Sequence, residues 1–397
     1  MTEADPAEDR PHRSRPSMAT VLREWGRIGC IGFGGPPTHI KLLRELCVER
    51  QRWIGAVEFE DAIAACNLLP GPASTQLSIF CAWRIRGRLG AVVGGIAFIV
   101  PGLIVILALA ALFLAEAPPR WVLAAGAGAG SAVAAVAVHA AAGLLPASWQ
   151  RAHATGRARL LRWAAYLVAG VLATATIGPW VVLVLLACGA VELTARVPRD
   201  NRPTAILPMP MLATGAISVG VLSSVAWVAF KVGALSYGGG FVIIPLMQAD
   251  AVNRYHWMTS GQFLIAVALG QITPGPVVQT VAVVGYAAAG LTGGLLASAV
   301  AFSPSFAFIL LGARRFDQLR ANAKARAFLD GAGPAAIGAI AGSAISLARA
   351  LTEPWQYVVL GGAAIVLLAL RRGVVPTLLT AAAAGIILTA AGLPLPS

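Results

Sequence analysis

The chain has 397 residues, of which 58% are hydrophobic and 12% charged, and its 30 Lys and Arg against 17 Asp and Glu give a net charge of +13. Soluble domains carry roughly twice that share of charge, so this composition, with a mean hydropathy of +0.76, excludes an ordinary soluble protein and describes an integral membrane protein. The arginines lie in short loops between apolar spans, which is what the positive-inside bias produces, so the charge does not imply nucleic acid.

In chain order, residues 1–19 read as a polar, proline-bearing cytoplasmic tail without the short apolar core of a signal peptide. Two segments follow, about 18–48 and 55–84, whose Phe33-Gly34-Gly35-Pro36 and Pro70-Gly71-Pro72 break any helix near its middle. Apolar stretches near the length of about 20 residues that a crossing needs run from 89 to 114, 121 to 145, 160 to 177, 179 to 195 and 207 to 227. Broken segments then recur at 228–249 and 261–287, followed by spans at 291–312, 327–348, 355–370 and 374–393.

The second half repeats the first at one constant offset in numbering. Arg27 falls on Lys231, Gly34-Gly35 on Gly238-Gly239, Trp53 on Trp257, Phe59 on Phe263, and Pro70-Gly71-Pro72 on Pro274-Gly275-Pro276. Paired Gly/Pro interruptions in two halves of an apolar chain point to a transporter's substrate site. The expected organisation is a first repeat over 20–196, a linker with an unpaired span over 197–227, and a second repeat over 228–397.

An odd linker crossing inverts the second repeat, and loop charge favours it. With the N-terminus inside, Arg84/Arg86/Arg88, Arg151 to Arg162, Arg196/Arg199/Arg202, Arg314 to Arg326 and Arg371/Arg372 all become cytoplasmic. The loop with Lys41, Arg44, Arg50 and Arg52 falls outside if the motif segments cross fully, and inside if they are re-entrant hairpins. The arms around Gly34-Gly35-Pro36, about 14 and 12 residues, reach only ~21 and ~18 Å against a ~30 Å core, which favours re-entrance. The fold class read here is an all-α polytopic membrane protein of two inverted-topology repeats whose broken or re-entrant helices meet at mid-membrane.

Each Pro-Gly-Pro forces a stop and a restart. A half-helix restarting near Pro72 leaves the N–H groups of Ala73, Ser74 and Thr75 directed into the break, and such an end carries about half a positive charge. Two such ends converging from opposite sides make an anion site. The candidate substrate-binding residues are Gly34, Gly35, His39, Asn67, Pro70, Gly71, Pro72, Ser74 and Thr75 in the first repeat. In the second they are Lys231, Gly238, Gly239, Gln271, Pro274, Gly275, Pro276 and Gln279. Lys231 is singled out because charge inside an apolar run usually serves function. Asp61, Glu192, Asp250 and Asp330 fall near span ends and read as solvated, and the five cysteines, without CxxC spacing, read as small buried hydrophobes. No metal or cofactor is implied, since neither ligand clusters nor a phosphate loop is present.

At these residues the chain resembles the chromate ion transporter family in its long two-domain form. The likeness rests on Phe33 to Ile40, Leu68-Leu69-Pro70-Gly71-Pro72, Ser236-Tyr237-Gly238-Gly239-Gly240, Ile244-Pro245 and Pro274-Gly275-Pro276 with Gly285-Tyr286, and it covers about 20–395. Thr38 departs from it, standing where a small residue such as alanine is expected. The resemblance implies secondary transport that exports chromate across the cytoplasmic (inner) membrane. It also implies an odd number of crossings, with an oxyanion (chromate or sulfate) and the lipid bilayer as partners and a homodimer as the assembly to test. A dianion leaving an inside-negative cell gains about 4.6 kcal/mol per 100 mV, so efflux needs no coupling ion, although a proton gradient can also drive it. Sulfate transport, by import or exchange, is the alternative within the class. A membrane-embedded enzyme is the alternative outside it, opposed by the lack of an HExxH or GxSxG arrangement.

Overall fold

The computed structural model describes residues 16–154, 156–176, 181–196, 220–236, 243–313 and 322–396, all helix and connecting turns without a strand. Helix α1 (Met18–Ile31) starts where the Ser17 hydroxyl accepts the Thr20 N–H at 3.1 Å, satisfying one of the donors a helix start leaves open. The chain turns at 32–35 into α2 (Pro36–Arg44), which continues as a widened π-helical turn, Glu45–Arg50. Helix α3 (Ala56–Leu68) ends at the Pro-Gly-Pro break, and α4 (Ala73–Phe113) starts beyond it with Pro72 as its N-cap rather than its first helical residue.

Helix α4 is two helices. At Arg86–Gly87 the backbone leaves helical geometry, with Gly87 at φ +65°, and the chain folds back so tightly that a Cβ on Gly94 would lie 2.5 Å from that of Ala82. Arm 73–85 therefore belongs with α3. Arg84 pairs with Glu58 and Arg44 with Glu60, and Arg86 Nε reaches Met18 Sδ at 3.5 Å. The start of α1, the end of α2, the start of α3 and the end of arm 73–85 thus lie together on one face. Helices of 14 and 13 residues reach only ~20 Å, so both motif segments enter and leave by that face as re-entrant hairpins with their Gly/Pro turns at the tips. The basic loop at Lys41 to Arg52 lies on the same face as Arg84 and Arg86.

Residues 88–113 then make a full crossing, followed by α5 (Arg120–His153), α6 (Arg157–Thr176) and α7 (Val181–Arg196). The second repeat runs α8 (Val221–Leu235), α9 (Ile244–Gln248) with its π-helical turn Ala249–Arg254, α10 (Ser260–Ile272), and the short turn Val277–Gln279 into α11 (Thr280–Gly312). Helix α11 is broken at Ala289–Gly290 as α4 is at Arg86–Gly87. Helices α12 (Ala323–Arg349), α13 (Pro354–Ala364, continued by Ile365–Ala369) and α14 (Val374–Ala390) complete it. The two π-helical turns, and the pair α3 and α10, keep the register that sets Pro70 on Pro274. The linker crossing expected at 207–227 falls mostly within 197–219, outside the described residues. Residues 221–227 belong to α8, so the first helix of the second repeat begins at Val221 rather than at 228.

The packing directions give the inversion. Gly95 faces Phe306 while Leu107 faces Gly294, so the equivalent segments 88–113 and 291–312 run antiparallel, and the axis relating them lies across the helices, in the membrane plane. Fifth helices are exchanged: α5 packs on α13 and α14, and α12 on α6 and α7. Small residues let the backbones approach in these contacts, as where Gly128 meets Ala381 O and Gly170 meets Ala335 O.

Candidate functional site

The hairpin tips meet at the centre and hold each other reciprocally. The Gly71 N–H donates to the Ser236 carbonyl at 2.6 Å and the Gly275 N–H to the Gly32 carbonyl at 3.0 Å. The two donors are repeat equivalents of each other, and so are the two acceptors. Gly71 and Gly275 sit at φ +119° and +93°, in the left-handed region that a side chain disfavours. Each Pro-Gly-Pro tip is thus fastened to the residue that ends the first helix of the other repeat.

In the first repeat the Pro72 carbonyl accepts the N–H groups of both Thr75 and Gln76 at 3.0 Å. Thr75 is therefore not among the open donors, contrary to the sequence expectation. Ala73 and Ser74 keep N–H groups without a partner among the described residues, and so do Val277 and Val278 at the second restart. Each half-helix start presents two free donors on a positive end.

Polar side chains on the elements that form these ends leave part of their hydrogen-bonding capacity unused. Thr75 Oγ1, Gln76 Oε1, Ser236 Oγ, Gln271 Nε2, Gln279 Oε1 and Ser305 Oγ are buried with no hydrogen-bond partner among the described residues. Each such group costs about 1–3 kcal/mol, so so many of them in an apolar protein mark a place built for a polar occupant. Gln76 and Ser305 flank Gly71, where a Cβ would lie 2.5 Å from Gln76 Nε2 and 3.2 Å from Ser305 Oγ. Gln76, Ser236 and Ser305 escaped sequence reasoning; of these, Ser236 borders the glycine motif and Gln76 stands one residue beyond Thr75.

His39 is buried and locks the first repeat's tips together. Its Nε2 lies 2.9 Å from the Gly32 carbonyl, so that nitrogen carries the proton and donates, and Nδ1 accepts the Ser74 hydroxyl at 3.2 Å. Its ring stands edge-on to Phe98 at 5.0 Å. Gly34 and Gly35, at φ +95° and +75°, form the turn beside it. Gly238 and Gly239 lie outside the described residues.

Lys231 is paired within its own repeat. Its Nζ lies 2.5 Å from Asp250 Oδ2, with side-chain exposures of 20% and 8%, and 5.7 Å from the centre of the Trp227 ring. Asp250, read from sequence as a solvated span-end residue, is buried. Glu192, read the same way, is buried under Arg162 and Arg196. In the first repeat Arg27 is exposed beside Glu24, and Leu46 stands where Asp250 falls. Four cysteines are buried and Cys30 is exposed, none disulfide-bonded.

The two tips differ in access. Asn67 and Pro70 are exposed, whereas their counterparts Gln271 and Pro274 are buried. A cavity of about 240 Å³ reaches the first tip at Asn67, Gly71 and Ala73. No group of side chains with metal-ligating composition occurs among the described residues.

A family model described as "Chromate transporter" matches residues 19–193 and 223–388, one region per structural repeat. A chromate transport protein of Cupriavidus metallidurans is 34% identical over 81% of this chain and 80% of its own length. One from Pseudomonas aeruginosa is 32% identical over 85% and 82%, and a probable chromate transport protein of Synechococcus elongatus is 28% identical over 84% and 85%. No solved structure matches. Two matched regions, the inverted hairpins they enclose and relatives aligned over most of both lengths lead to one assignment: the chain belongs to the chromate transporter family.

Proposed function

We propose that this transporter exports chromate, a tetrahedral oxyanion, across the cytoplasmic (inner) membrane, binding it where the two Pro-Gly-Pro tips meet. The observation that carries this reading is the pair of half-helix starts, each with two unpartnered N–H groups, fastened face to face by the reciprocal Gly71–Ser236 and Gly275–Gly32 bonds. Donors so arranged suit a compact anion. The unpartnered hydroxyls and amides of Thr75, Gln76, Ser305 and Gln271 supply further hydrogen bonds to its oxygens. Lys231, held by Asp250 in this state, provides counter-charge when the pair opens.

Backbone N–H groups read charge and shape rather than the central atom, so sulfate competes in the same site. Export follows from the membrane potential, with a proton gradient as the other drive. Ser74 and His39 have the spacing of a nucleophile and base, but both are buried and the ring's second nitrogen is spent on a backbone carbonyl, which favours a positioning role over a membrane-embedded enzyme. The test is flux into inverted vesicles of purified protein under an imposed potential and, separately, a pH gradient. Chromate uptake that excess sulfate inhibits supports the reading; flux indifferent to both anions refutes it.

A further inference from the structure

We infer that the first Pro-Gly-Pro tip is the tighter half of the oxyanion site, and that three buried hydroxyls, those of Thr75, Ser236 and Ser305, make it so by donating to the anion's oxygens. The inference rests on reading the tips as an oxyanion site and adds what separates its two halves. All three side chains are fully buried, and their hydroxyls have no hydrogen-bond partner among the described residues. Two of them come from the other repeat. The Ser236 carbonyl takes the Gly71 N–H at 2.6 Å, and Ser305 Oγ lies 3.2 Å from where a Cβ on Gly71 would stand, so both serines border the glycine of the tip. Thr75 stands in the first turn of arm 73–85, beside the open N–H groups of Ala73 and Ser74.

None of the three has a hydroxyl counterpart at the second tip. Ser236 falls on Gly32 in the register that sets Pro70 on Pro274. Beyond the tips the second repeat is one residue shorter, because the breaks at Gly87 and Gly290 correspond, as do Pro101 and Pro304. Ser305 therefore falls on Gly102 and Gln76 on Gln279, and Ala73-Ser74-Thr75 is answered by Val277-Val278. The hydroxyls that flank the second tip are already spent. Thr273 donates to the Leu269 carbonyl at 2.8 Å and Thr280 to the Val277 carbonyl at 2.9 Å, which leaves Gln271 Nε2 as that tip's unpartnered side-chain donor among the described residues.

The second tip has no room for a serine at the place of Gly102. A Cβ there would clash with the Pro274 carbonyl and lie 2.6 Å from Gln279 Oε1. Gln279 Nε2, packed against that glycine, donates to the Ile99 carbonyl at 2.6 Å. Gln76 has a serine beside it instead and donates to the Pro70 carbonyl of its own tip at 2.7 Å. Both glutamines leave Oε1 unpartnered, so the amide oxygens do not distinguish the tips and the hydroxyls do.

A hydroxyl without a partner turns its proton to an anion's oxygen without breaking another bond. The first tip is also the one open in this state, towards the basic face that carries Arg84 and Arg86, since the cavity touching Gly71 and Ala73 extends to Ser148 near the end of α5. The anion is therefore held more tightly when it enters from the basic face than when it meets the second tip from the opposite one.

The test joins a stability readout to a sided one. Thr75→Val and Ser305→Ala remove a stranded hydroxyl and nearly keep the side chain's shape, so without anion neither variant, nor the double, should melt below the parent. Sulfate at a concentration that raises the parent's melting temperature should raise that of the double variant less, because a weaker ligand stabilises less. In inverted vesicles the double variant should raise the KM for chromate at least about tenfold, as expected for hydrogen bonds to a charged group. In right-side-out vesicles with the potential reversed, its KM should match the parent's. Ser303→Ala, exposed on the same helix with its hydroxyl on the Val300 carbonyl at 2.8 Å, should change none of these. A variant that melts low without anion shows that the hydroxyls serve the fold, and an equal rise in KM from both faces shows that the tips share them. Either result overturns the inference while the parent's oxyanion flux stands. Parent flux indifferent to chromate and sulfate overturns the cargo reading itself, and the inference with it.

Discussion

Lys231→Met, Asp250→Leu and the double variant separate what the buried ion pair does for stability from what it does for transport. Removing one partner of a buried pair strands the other charge, at about 3–5 kcal/mol. Lys231 retains 20% exposure, which places this pair near or below the lower end, about 2–3 kcal/mol per single variant. Leucine is what the first repeat carries at the position of Asp250, and with Met at 231 the double variant leaves no stranded charge. It should recover most of the loss, giving a coupling of about 2 kcal/mol. Thermal unfolding in detergent, followed by size-exclusion fluorescence, should show both singles melting several degrees low and the double close to the parent. Transport should stay impaired in the double variant, because no counter-charge is left for the dianion. Additive losses in melting temperature would refute the pairing; full recovery of flux with stability would show that Lys231 serves the fold alone.

Other consequences are equally direct. Gly71→Ala and Gly275→Ala each force a side chain into a left-handed backbone at about 1–3 kcal/mol and should cut flux at least about tenfold, whereas Gly362→Ala, with open space around it, should be neutral in the same vesicle assay. His39→Ala strips partners from Gly32 and Ser74 and should lower thermal stability by about 1–3 kcal/mol; unchanged melting would separate the ring from tip packing. Cysteines placed at Gln51 and Gly55 should be blocked only from the cytoplasmic side, since that turn lies on the face shared by Met18 and Arg86, and labelling from outside would remove the re-entrant hairpins.

The hairpin tips were legible because their cause is local: proline removes donors and glycine permits a left-handed turn wherever they occur. The repeat register then carried one tip onto the other, and charge in the loops pointed to the inversion. What escaped depends on long-range packing. The fold-back at Gly87 falls in the loop that Arg84, Arg86 and Arg88 mark in the sequence, and only its tightness, with Gly94 against Ala82, came from the packing. Asp250 reads as a span-end acid until α8 brings Lys231 beside it. Ser305 belongs to a helix far along the chain and joins the tip only through the crossing of 88–113 and 291–312. The exchange of fifth helices leaves no local trace, since small residues suit any close helix pair.

Inversion also specifies the state that this structure is not in. Here the first tip is open, with Asn67 and Pro70 exposed, and the second is closed over Gln271 and Pro274. Exchanging the two repeats' conformations produces a protein of the same fold with Gln271 and Pro274 exposed to the opposite face, as alternating access requires. The exchange is not neutral in charge. On the basic face the arginine network ties α12 to α6 and α7, while α13 and α14, the counterparts of α6 and α7 in the second repeat, carry no charged residue. An anion therefore meets a positive approach on one side and a nearly neutral one on the other, which concentrates it where it is loaded and does not retain it where it is released. For a dianion, about 2.3 kcal/mol per charge per 100 mV already favours that direction, and the asymmetry of the two faces acts with the potential rather than against it.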